Sequence, residues 1–193
     1  MSRFWPPKFT LRQLLLFVLA VGIASTLYVE AGAAAVMTVA AWILIAIGAG
    51  AMVRFPRVAL CSGWLAFCIS FMLPVSDYLE ATGAPVGTPL LGWQACLAAF
   101  YMATQPVALL VKPRLIFLLI PLFATALALF APLFAVHAGP LRYVVAALLV
   151  LGTLVSWCFP EYRGNLFTGF YIWNIALIEM AIALTCLALA DDL

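Results

Sequence analysis

The chain has 193 residues, 68% of them hydrophobic and 8% charged, with a net charge of +2 and a mean hydropathy of +1.22. A soluble domain is about half apolar and about a quarter charged, and a small fold leaves too much surface exposed to hide so apolar a composition. Water-soluble classes are excluded, and the expected solvent is the bilayer.

Seven segments reach the roughly 17–25 apolar residues that a spanning helix needs: 11–30, 32–53, 58–75, 90–111, 115–136, 143–159 and 166–190. They predict an all-α, polytopic transmembrane bundle of seven helices forming a single membrane domain over 1–193. The breaks carry their own punctuation: Glu30-Ala31-Gly32, Arg54-Phe55-Pro56-Arg57, Lys112-Pro113-Arg114, 137–142 and 160–165. Proline and glycine stop helices and charges avoid hydrocarbon. The longest break, Ser76 to Pro89, is too short to hold a domain.

Along the first segment, Lys8 and Arg12 precede Leu14–Val21 and Gly22-Ile23-Ala24-Ser25, a pattern shared with signal peptides. The apolar run continues to Val29, which favours a retained helix. Phe9-Thr10-Leu11-Arg12-Gln13-Leu14-Leu15-Leu16 resembles an opening common in membrane proteins of planctomycete-type bacteria. That resemblance implies a lineage rather than an activity; the expected location is a bacterial inner membrane.

Lys and Arg concentrate in cytoplasmic loops. Strict alternation of seven spans from a cytoplasmic N-terminus puts Arg3, Lys8, Arg12, Arg54, Arg57, Lys112, Arg114 and Arg163 inside and only Arg142 outside, so the C-terminus is expected outside. Trp93 and Tyr143 then belong to the outer interface, and Trp157 and Tyr171 to the inner one. The inner turns after 53, 111 and 159 share Pro and Lys/Arg, which suggests three hairpins but is also what any inner turn requires.

Chemical signatures are sparse. The five cysteines (Cys61, Cys68, Cys96, Cys158 and Cys186) lie in apolar stretches without metal-ligand spacing. The last segment has no Lys for a retinal Schiff base, and the single His137 sits at a span end rather than inside one. No G-x-S-x-G, H-E-x-x-H or phosphate loop occurs, and no Asp lies within a span. An enzyme, a cofactor and a metal site are not expected, nor is nucleic acid as a partner.

The remaining candidates form an intramembrane polar set: Glu179, Tyr101, Gln94, Gln105 and Asn174. Glu179, near the middle of the last segment, is the only ionisable acid or base well inside a span. Such a group is expensive if charged and marks function by default; protonated, it serves as a packing element. Gln94 and Gln105 are eleven residues apart and return to one face of a helix, with Tyr101 on the same stripe. Matched depth pairs Tyr101 with Glu179 and Gln105 with Asn174, which predicts that the fourth and seventh helices face each other, with Ser25 as the fallback partner of Glu179. Pro121 and Pro132 are expected to bend the fifth helix, and Ala46-x-x-x-Gly50 to mark a close helix contact. Two functions fit: a non-catalytic subunit or scaffold that packs against the lipid bilayer, other membrane proteins or further copies of itself, and a small proton- or ion-coupled transporter or channel that uses Glu179.

Overall fold

The computed structural model describes residues 32–52, 54–76, 89–106, 110, 113–136, 139–158 and 167–191. Two compact units are distinguished, Met1–Val36 and Met37–Leu193. The first expected span, 11–30, and Ser25 within it lie outside the described residues.

Among the described residues the structure is mostly helical. It contains α1 (Gly32–Ala51), α2 (Pro56–Ser70), β1 (Pro74–Ser76), β2 (Leu90–Leu91) and α3 (Gly92–Thr104). After these come a 3-10 turn at Pro113–Leu118, α4 (Leu119–Leu129), α5 (Ala131–Phe134), α6 (Leu141–Cys158) and α7 (Thr168–Asp191). Three described helices, α1, α6 and α7, are long and apolar enough to cross a membrane.

Local chemistry sets these boundaries. Pro56 opens α2 at a position where its missing N–H costs nothing. α3 ends at Gln105, whose extended backbone (φ −78°, ψ 117°) is what the following Pro106 imposes. The helix of the expected span 90–111 is therefore interrupted at Gln105, while Pro106 and Leu110 are again helical. Within the expected span 115–136, the helix breaks at Phe130, ahead of Pro132. The carbonyl of Leu129 at that break accepts the indole N–H of Trp64 at 3.1 Å. Pro121 sits early in α4, just past the 3-10 turn, and lines a cavity of about 50 Å³ with mostly apolar walls.

The core is built from helical stripes. α6 buries Arg142, Val145, Ala146, Leu149, Gly152, Thr153 and Ser156, a 3.6-residue periodicity. α1 turns Ala41, Ile45 and Gly48 inward, while Trp42, Ile43 and Ile47 face out. α7 lies at the centre and leaves mainly Tyr171, Ile178, Ile182 and Leu189 exposed. Gly152 lets α6 approach α4 so closely that a Cβ there would overlap Ala124.

Helix directions depart from the expected alternation. Ser62 of α2 lies beside Glu179 of α7, while Leu73 and Pro74 beyond α2 lie against Gly169, so α2 and α7 are antiparallel. Cys61 and Trp64 of α2 share a groove with Pro132, Leu133 and Leu129, whereas Ser70 and Phe71 share the buried cavity with Pro121 and Thr125. α2 is therefore antiparallel to α4 as well. Seven alternating spans would make the third, fifth and seventh segments parallel. A count of apolar runs carries no information on these directions, because it takes every run to cross. Trp93, expected on the opposite face from Trp157 and Tyr171, shares their end of the structure. Its N–H reaches the Phe71 carbonyl at 3.2 Å, Phe71 and Phe170 line one cavity, and the Phe170 ring lies 5.4 Å from Trp157.

Candidate functional site

The Glu179 carboxyl is held where three helices meet. It projects from α7, is 4% exposed, and accepts a hydrogen bond from Ser62 Oγ on α2 at 3.2 Å. Gly48 of α1 faces it; a Cβ there would overlap both Glu179 Oε1 and Ser62 Oγ. Gly63 closes the other side, where a Cβ would lie 3.3 Å from Glu179 Cδ and from Met180 Cγ. The carboxyl group thus fills the space a side chain at position 48 would need, and leaves only a tight fit for one at position 63.

Ser62 carries one hydroxyl proton but has three acceptors within reach: the Val58 and Ala59 carbonyls, both at 3.0 Å, and Glu179 Oε1. With Glu179 ionised, the hydroxyl donates to the carboxylate. With Glu179 protonated, the acid can donate to Ser62 Oγ while Ser62 donates back to its own helix. The pair accommodates either state without moving a helix. Glu179 Oε2 is buried and has no hydrogen-bond partner among the described residues. A lone carboxylate oxygen without a partner is costly in an apolar interior.

The other candidates are dispersed. Tyr101 is 58% exposed on α3, so the expected Tyr101–Glu179 pair does not form. α3 packs instead through Ala99 and Ala103 against Leu115 and Leu118, and α7 packs against α2 and α6. The matched depths assumed that 90–111 is one straight helix, whereas α3 ends at Gln105. Gln94 Oε1 accepts the Leu91 backbone N–H at 3.0 Å and so caps the start of α3. Gln105 is the residue that ends that helix. Asn174, 1% exposed, accepts from Ser156 Oγ at 2.7 Å and donates to the Phe170 carbonyl at 2.9 Å. Its partner is α6, not Gln105. Ala46 and Gly50, expected at a close contact, are exposed; Gly48 between them makes it.

Sequence reasoning assigned Arg142 only a loop role. It is 3% exposed and donates to the carbonyls of Phe134 (2.8 Å), Ala135 (3.1 Å) and Leu187 (3.1 Å). The guanidinium thus ties the end of α5 and the last turns of α7 to the start of α6. Its signal in the sequence was position: a lone Arg at the very border of the apolar segment 143–159, next to a helix end whose carbonyls need donors. Ser62 carried no comparable signal, because a hydroxyl in a span is ordinarily satisfied by its own helix.

No protein family, curated protein or solved structure matches this chain.

Proposed function

We propose that this chain is a non-catalytic, multi-pass integral membrane protein of a bacterial inner membrane, acting as a subunit or scaffold. It packs against other membrane proteins or further copies of itself. One observation carries the reading: among the described residues, Glu179, Asn174 and Arg142 are held at separate places between helices. Glu179 is held by Ser62, Asn174 by Ser156, and Arg142 by three carbonyls. A transport path or a catalytic centre needs polar groups that converge on one accessible space. The helices also present many large apolar side chains outward, Ile43, Leu97, Phe123 and Leu154 among them, as surfaces for lipid or protein. Under the positive-inside rule, Arg54 and Arg57 favour a cytoplasmic α1–α2 turn.

Glu179 Oε2, which has no hydrogen-bond partner among the described residues, supports a second reading, proton coupling. One experiment separates the two. The full chain is reconstituted into liposomes holding a pH-sensitive dye, a pH step is imposed, and native protein is compared with Glu179→Gln. The scaffold reading expects no flux above that of protein-free liposomes and the same proteins co-purifying with both forms in mild detergent. A native proton flux abolished by Glu179→Gln, with the fold retained, overturns it.

A further inference from the structure

The region from Leu90 to Leu118 breaks the alternation and explains the antiparallel pairing of α2 with α4. β1 and β2 are antiparallel, with Pro74 opposite Leu91, and the ladder continues as Gly92 N–H to the Leu73 carbonyl (3.1 Å) and Trp93 N–H to the Phe71 carbonyl (3.2 Å). The chain that leaves past Ser76 thus returns alongside the end of α2 and penetrates to the level of Phe71. From there α3 runs antiparallel to the segment that comes after it. Cys96 and Ala99 share a cavity with Leu122 and Thr125, and Ala103 packs with Leu115 and Leu118. Since α4 is antiparallel to α2, α3 runs in the same direction as α2. Two successive helices pointing the same way cannot both cross.

Non-helical backbone at membrane depth survives only where protein covers it. Here the Leu90–Trp93 stretch is bonded to the end of α2, and Gly92 permits this approach, since a Cβ would lie 2.6 Å from the Ser70 carbonyl. Tyr101, toward the far end of α3, is exposed where the helix leaves the hydrocarbon, a position suited to an interfacial phenol.

We infer that Leu90–Trp93 and α3 are the two arms of a re-entrant element that enters and leaves the membrane on the side where α2 ends. Pro89 and Arg114 then lie on one side. The α1–α2 turn, the α5–α6 connection and the end of α7 lie on the other. The C-terminal end shares a side with Phe55, against the expectation from seven alternating spans.

The test uses the full chain with its five native cysteines replaced and single cysteines introduced as Phe55→Cys, Pro89→Cys, Arg114→Cys and Gly139→Cys. A membrane-impermeant maleimide is applied to intact cells and to inverted vesicles. Pro89→Cys and Arg114→Cys are expected to label from the same side, and Phe55→Cys and Gly139→Cys from the opposite one. Labelling of Pro89→Cys and Arg114→Cys from opposite sides overturns the inference. Because a cysteine-free chain can fail to fold, reporters fused to the native chain after Phe55 and after Leu193 give an independent readout. They are expected on one side, and a result placing them on opposite sides overturns the inference equally.

Discussion

Gly48 of α1 faces the carboxyl group of Glu179 on α7 with no room for a Cβ between them. The contact places α1, α2 and α7 around one polar group, since Ser62 of α2 donates to the same oxygen that Gly48 covers. An interior acid is tolerable only where the surrounding helices supply a donor and exclude lipid. Here the donor is a hydroxyl, and the exclusion is achieved by the smallest residue.

Gly48→Ala is therefore expected to push α1 away or to force the carboxyl off Ser62. Overpacking of this kind costs about 1–3 kcal/mol. Gly50→Ala, where a Cβ meets nothing within 4 Å, is expected to leave stability unchanged. Thermal unfolding of the two variants in the same detergent checks the contrast. Equal melting temperatures would remove Gly48 from the interface.

Ser62→Ala leaves the buried carboxyl without its donor, and loss of such a partner costs about 1–3 kcal/mol. Tyr101→Phe removes a phenol that is exposed and has no part in that contact, so it is expected to melt like the native chain. Adding Glu179→Leu to Ser62→Ala should recover part of the loss, because no stranded acid remains. A larger destabilisation from Tyr101→Phe than from Ser62→Ala would restore the pairing of α3 with α7.

Arg142→Ala is expected to be the most damaging of these substitutions. It strips donors from the carbonyls of Phe134, Ala135 and Leu187 at once, and hydrogen bonds to a charged group contribute about 1.5–3 kcal/mol each. Arg142→Lys should recover only a fraction, since one ammonium cannot reproduce the spread of a guanidinium fork. Yield and melting temperature of the folded protein after extraction report this directly. A lysine variant as stable as the native chain would show that charge, rather than the forked geometry, holds α5 and α7 to α6.

Composition and local rules, both contained in the sequence, determined the solvent and the longest helices. The apolar content fixes a lipid-exposed helical protein, and the apolar segments 32–53, 143–159 and 166–190 coincide closely with α1, α6 and α7, because a long apolar run with terminal breakers has no other stable form in hydrocarbon. The Glu179 position was also legible, since a lone acid in such a run must face protein. Two further signals were present but lost to the overall hydropathy: Gln105-Pro106, which ends α3, and Pro132, which comes just after the break at Phe130. Only the tertiary structure decided that α3 runs with α2, that Ser62 rather than Tyr101 holds Glu179, and that Arg142 is a buried clamp. Hydropathy measures whether a segment enters the membrane and is silent on whether it leaves by the far side, and a polar partner is chosen by which helix faces lie together rather than by depth along them.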